Sequence, residues 1–226
     1  MSKKEEKDLS PVKRPAVQYY YGCLEEDLTC TEEELEALRK ITCCFTGHRP
    51  LKLPWRSRES DSRCVDTKQW IAGELEKLYR RGYRRFMCGM ALGCDLYYAE
   101  EVINLRQKYE DVQLIAVIPC ENQNRKWKND QKLRYSELLG QCTVACIISK
   151  CYTGDCMHRR NKYMVDHSTC ILACFDGTPG GTMNTVLLAE RAGIEMHELN
   201  VSDLVRDKSR ELPPELKKIN HIRRKQ

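Results

Sequence analysis

No stretch of about 18 consecutive apolar residues occurs in the chain, so no membrane-spanning helix is expected. The opening residues, M-S-K-K-E-E-K-D, contain no apolar segment and do not read as a secretory signal, which points to the cytoplasm. Neither a G-x-G-x-x-G dinucleotide fingerprint nor a G-x-x-x-x-G-K-[ST] phosphate loop is present, so an ordinary dehydrogenase or P-loop ATPase is not expected. No internal repeat is evident. The net charge of +5 is modest, and much of it sits in the final run K-K-I-N-H-I-R-R-K-Q. Cysteine is not scarce: there are 14. In a reducing compartment these are thiols rather than a disulfide frame. Cys88, Cys146, Cys170 and Cys174 lie inside apolar runs, where a thiol behaves as a small hydrophobe. Cys151, Cys156 and His158 form a C-x4-C-x-H cluster without a second paired half, so no metal site is assigned.

What is present is a chain of 226 residues, 41% hydrophobic and 31% charged, enough for one core of ordinary size. Residues 1–40 read as an arm with a short helix, and residues 41–207 as the folded domain. Residues 208–226 read as a basic tail. Thr31 and Glu34 form a capping box for the helix in the arm. The Y-Y-Y-G-C stretch before it is expected to dock on the domain. Apolar, β-branched runs at Ile41–Thr46, Arg85–Cys88, Val112–Ile118, Thr143–Ser149, Thr169–Phe175 and Ile194–Leu199 predict six strands. Helical periodicity between them predicts helices over 65–81, 95–109, 130–139, 157–167 and 182–192, with a short one at 202–207. This alternation predicts an α/β fold: a Rossmann-like, doubly wound, mainly parallel sheet with helices on both faces.

Ligands of such sheets bind at the C-terminal ends of the strands. The loops predicted there carry the candidate site. The first strand runs into Thr46, Gly47, His48, Arg49 and a proline, the last of which keeps Arg49 out of the helical region. The second enters M-C-G-M-A-L-G-C-D, with Gly89, Ala91 and Gly93, and Asp95 expected to cap the following helix. The third ends at Pro119, and Trp127 follows as a stacking surface or a cover for the core edge. Arg160 and Asn161 sit early in a predicted helix. The fifth strand enters D-G-T-P-G-G-T, with Asp176, Gly177, Gly180, Gly181 and Thr182; Thr185 is one turn further on. Backbone N–H groups and hydroxyls in such loops hold phosphate.

The ordered set T-G-H-R-P, G-M-A-L-G-C-D-L-Y-Y-A-E, I-P-C with a following Trp, R-R-N-K-Y-M-V-D-H-S and D-G-T-P-G-G-T-M-N-T resembles the YpsA-like family of bacteria and their phages. That family belongs to the SLOG superfamily, which unites Smf/DprA proteins with LOG proteins. The resemblance covers roughly Ile41 to Leu199. It implies a Rossmann-like fold and a nucleotide-derived ligand at the loop edge. The LOG branch cleaves the base–ribose bond of nucleoside monophosphates with a P-G-G-x-G-T-x-x-E motif. Here Pro179, Gly180 and Gly181 are kept, Met183 and Asn184 replace the G-T pair, and Leu187 stands at the glutamate position. Glu190 is one helical turn away. Cleavage of a glycosidic bond needs a carboxylate near the sugar.

Three readings follow. The first is a sensor or carrier of a nucleotide-derived small molecule. The second is a LOG-like N-glycosidase. The third is single-stranded nucleic-acid binding as in DprA, for which Arg159, Arg160 and the tail would neutralise phosphates. No cofactor is assigned, no membrane partner is expected, and assembly into a homo-oligomer stays open.

Overall fold

The computed structural model describes residues 16–210. The start of the arm and most of the basic tail fall outside that range. In chain order the elements are β1 (Gln18–Tyr21), α1 (Glu26–Thr29), α2 (Glu32–Lys40), β2 (Thr42–Gly47), α3 (Ser62–Arg80), β3 (Arg85–Cys88) and α4 (Cys94–Lys108). Then follow β4 (Gln113–Ile118), α5 (Asn129–Leu139), β5 (Val144–Ile147), α6 (Cys156–Asp166), β6 (Cys170–Phe175), α7 (Gly181–Ala192) and β7 (Glu195–Asn200). All seven strands pair in parallel, in the order β1-β5-β4-β3-β2-β6-β7. The sheet is therefore wholly, not mainly, parallel.

Both faces of the central strands are covered, which explains their unbroken apolar runs. Cys43, Phe45, Phe86, Cys88, Leu114 and Leu172 point to one face, where α3, α4 and α5 pack. Cys44, Met87, Ile115, Val117 and Ile171 point to the other, against Met164 and Val165 of α6 and Ala189 of α7. Tyr98 of α4 stacks on Phe45, with ring centroids 4.5 Å apart. Among the described residues no helix is long and apolar enough to cross a membrane.

Several elements differ from the sequence reading, among them the short helix α1, which it does not predict. The Y-Y-Y segment docks as a strand, β1, in register with β5, Gln18 opposite Val144 through Tyr21 opposite Ile147. Residues 202–207 form no helix; a single 3-10 turn follows at Lys208–Arg210. At the end of this segment the Asp207 N–H donates to the hydroxyl of Ser62, the first residue of α3, at 2.8 Å. The Thr31–Glu34 capping box is present as read.

Helix α3 begins three residues before the predicted start because Asp61 caps it. Its buried carboxylate accepts from the Arg63 N–H at 3.1 Å and pairs with Arg58, Arg63 and Arg206. The Arg63 hydrogen bond holds this carboxyl well below the usual carboxylate range. Asp61→Ala is expected to cost about 1–2 kcal/mol, measured by urea unfolding at pH 7. A carboxyl with a lowered folded pKa stabilises fully above its unfolded value of about 4 and loses that contribution as pH falls. The wild-type advantage over Asp61→Ala should therefore shrink progressively below about pH 4; a gap unchanged at pH 3 would refute the assignment.

Candidate ligand-binding cleft

Chain order reverses beside β2: β3, β4 and β5 lie to one side, β6 and β7 to the other. At such a switch point the connections diverge to opposite faces and leave a crevice at the strands' C-terminal ends. A cavity of about 370 Å³ occupies that position. Thr46, Gly47, His48, Arg49 and Lys52 line it from the loop after β2. Ala91 and Asp95 come from the β3–α4 turn, Met157, Arg160, Asn161 and Met164 from α6, and Gly181 and Thr182 from the start of α7. Three cationic side chains, Arg49, Lys52 and Arg160, face one carboxylate, Asp95, so the charged lining carries a formal +2 with histidine neutral.

The turn after β3 explains how a buried arginine is held. Gly89 has no side chain, and the Arg160 guanidinium fills the space; a Cβ at residue 89 would overlap it. The same Cβ would stand 3.0 Å from the Asp95 Oδ2. Asp95 and Arg160 thus flank one gap. The Arg160 Nε donates to the Asn161 Oδ1 at 2.7 Å, whereas its buried Nη1 has no hydrogen-bond partner among the described residues. Burial pushes the arginine below its ordinary pKa, with Asp95 opposing the shift. Burial pushes the Asp95 carboxyl up, with Arg160 and the Ala91 N–H opposing.

Asp95 does not cap its helix. The residue before α4 is Gly93, at φ +95°, and Asp95 is the second helical residue. Its carboxylate turns back to accept from the Ala91 N–H at 3.2 Å, bracing the turn. Gly93 packs on the first loop: the Cys94 N–H donates to the His48 carbonyl at 3.2 Å.

His48 is buried, and its Nε2 lies 2.6 Å from the Asp176 Oδ1. Burial opposes ionisation of Asp176, but hydrogen bonds from Thr178 and His48 prevail and hold the carboxyl low. Against an ionised carboxylate the imidazole presents Nε2–H as donor. This pair ties the loop after β2 to the loop after β6. Lys52 adds a second tie, donating to the Thr178 Oγ1 at 3.1 Å and the Pro179 carbonyl at 2.6 Å. Gly180, which precedes α7, offers no side-chain cap, and Gly181 and Thr182 of the first turn line the cleft.

A family model described as the YspA SLOG family matches residues 43–208. The chain belongs to the YpsA family of SLOG proteins. It is 28% identical over 137 residues to the uncharacterized SPbeta prophage-derived protein YoqJ of Bacillus subtilis, covering 55% of this chain and 80% of that one. It is 23% identical over 167 residues to the UPF0398 protein YpsA of Bacillus subtilis, covering 71% and 92%. Among solved structures it is similar to the single-stranded-DNA-binding DNA processing protein A of Helicobacter pylori, at 15% identity and TM-score 0.48, covering 74% of this chain and 68% of that one.

Within this YpsA-family cleft, ten of the residues singled out from sequence converge: Thr46, Gly47, His48, Arg49, Ala91, Asp95, Arg160, Asn161, Gly181 and Thr182. Gly89, Gly93, Asp176, Gly177 and Gly180 shape the surrounding turns and do not line the cavity. Three residues stand apart. Pro119 ends β4 away from the cavity. Trp127 packs in a T-shaped contact with Tyr135, ring centroids 5.3 Å apart, half-buried against the core, and does not line the cavity. The buried Thr185 donates its hydroxyl to the Gly181 carbonyl at 2.9 Å, inside its own helix. Cys151, Cys156 and His158 do not gather at ligand distance among the described residues. Sequence reasoning missed Phe45, Leu51, Lys52, Met157 and Met164. Lys52 sits in a 3-10 turn, Pro50–Lys52, between β2 and α3. The one available signal was its position three residues after Arg49, which puts both cations at the same strand end.

Proposed function

We propose that this cleft binds a nucleotide-derived small molecule through its phosphate, making the protein a sensor or carrier of that ligand. The observation that carries the reading is the buried Arg160 Nη1, without a partner among the described residues, set beside Arg49, Lys52 and the first turn of α7 in the same lining. A buried unpaired cationic donor is costly, and an anion at the rim offsets that cost. Met157, Met164 and Leu51 supply apolar contact for a sugar or base, and the cavity is of small-ligand size.

Glycosidic cleavage is the weaker reading. Glu190 is exposed and does not line the cavity, and the lining carboxylate, Asp95, is buried and bound to the Ala91 N–H.

The test is a thermal-shift screen of the purified chain with nucleoside mono- and diphosphates, NAD and ADP-ribose derivatives. At least one phosphate-bearing compound should raise Tm, and the matching nucleoside should not. Lys52→Ala should weaken the effective compound about 10-fold, for a charge-assisted contact of roughly 1.5 kcal/mol. A screen without any shift would sink the proposal. Release of free base from an effective compound would move the assignment to the glycosidase.

A further inference from the structure

Away from the cleft, at the outer edge formed by β6 and β7, three chemically different metal-ligating groups converge. Cys170 of β6 stands opposite Glu195 of β7, and His197 is two residues on, hence on the same face. The Cys170 Sγ, a Glu195 carboxylate oxygen and a His197 ring nitrogen all lie within 4.8 Å of one another. Glu74 of α3 reaches over from the covering layer and holds the His197 Nδ1 at 2.6 Å, while Nε2 lies 2.7 Å from the Glu195 Oε1. A carboxylate on the far ring nitrogen is the arrangement that fixes the tautomer of a metal-bound histidine.

We propose that Cys170, Glu195 and His197 form a zinc site, with His197 binding through Nε2, Glu74 positioning it through Nδ1–H, and the fourth place open to water. Thiolate, imidazole and carboxylate together suit a borderline-soft divalent ion. One thiolate and one carboxylate balance its charge. In the metal-free arrangement the place of the ion is taken by a proton on Nε2 and by Arg81, which holds both Glu195 oxygens at 2.7 and 2.6 Å. Arg81 is half exposed and keeps Oε2 when the ion takes Oε1. Binding exchanges the Nε2 and thiol protons for the metal, so it strengthens as pH rises. The ion would cross-link β7, an edge strand, to its neighbour, and it is independent of the cleft.

The test uses the full chain, stripped with chelator and kept reduced. Zinc is titrated by calorimetry, and Co²⁺ is used as an absorbing probe for a thiolate-to-metal band. One equivalent should bind with micromolar or tighter Kd. Zinc at about 100 times Kd should raise Tm by about 5–10 °C. Cys170→Ser and His197→Ala should each weaken binding at least 100-fold, and Glu74→Gln about 10-fold. Cys151→Ser, at the exposed cysteine, should change nothing. If Cys170→Ser does not fold, His197→Ala decides, because that side chain is partly exposed. Full zinc affinity in His197→Ala, or no zinc binding by the wild-type chain, overturns the proposal and leaves His197 as an imidazolium between two glutamates.

Discussion

Gly93→Ala is expected to cost about 3–5 kcal/mol and to lower Tm by roughly 10 °C, out of proportion to one added methyl group. Two costs combine. Residue 93 has φ +95° and ψ −130°, a conformation that side chains with a Cβ rarely adopt. The added Cβ would also stand 2.5 Å from the His48 carbonyl oxygen and 3.1 Å from the Arg49 Cα, both of them backbone. Relief requires the loop after β2 to move, which breaks the Cys94 N–H to His48 hydrogen bond. Gly193→Ala is the control. That residue is left-handed at φ +65°, but its Cβ would meet open space, so only the backbone term of about 1 kcal/mol applies. Urea unfolding of both variants should show a clearly larger loss for Gly93→Ala. Equal losses would mean that close approach of the two loops contributes nothing at residue 93.

The same contact shows what the sequence could and could not disclose. Five of the six strands from β2 onward, β2 to β6, are legible because burial on both faces leaves runs such as T-C-C-F-T, whereas the outer strand β7, E-M-H-E-L-N, is half exposed. The strand β1 is not legible, because it is a short edge with Tyr19 and Tyr21 half exposed and takes its pairing from β5, far along the chain. The glycines mark the correct turns, and two of them have packing roles set by residues distant in the chain. Gly89 makes room for Arg160, some 70 residues later, and Gly93 for the carbonyl of His48, 45 residues earlier. Asp95 is close enough in sequence to cap α4, but it lies inside the helix and its carboxylate turns back to the β3–α4 turn, to the N–H groups of Ala91 and Gly89. Trp127 is an aromatic whose contact with Tyr135 is fixed by packing, whereas the Thr185 hydroxyl is taken up locally by the carbonyl of Gly181 one turn back.

Arg160→Met separates the arginine's effect on binding from its effect on stability. An effective phosphate ligand should lose about 2–3 kcal/mol, a factor of roughly 30–150, since the replacement keeps the apolar stem and removes the charged donors. Stability should change with pH in a way set by Asp95. Burial already raises the carboxyl of Asp95, and Arg160 opposes that rise. Without the guanidinium the folded pKa climbs further above its unfolded value near 4. For an acid raised on folding, the folded state binds more protons, so stability falls as pH rises from the unfolded to the folded pKa. Arg160→Met should therefore be less stable than wild type at pH 7 and should recover part of the deficit at pH 5. In Asp95→Asn/Arg160→Met the titrating group is absent, and that recovery should disappear while ligand binding stays lost. Unfolding curves at the two pH values, paired with thermal-shift titrations, read both effects from the same proteins. If the single variant shows no recovery on acidification, Asp95 and Arg160 are not electrostatically coupled across the gap at Gly89. If it binds the ligand as wild type does, the unpaired guanidinium is not the anion contact.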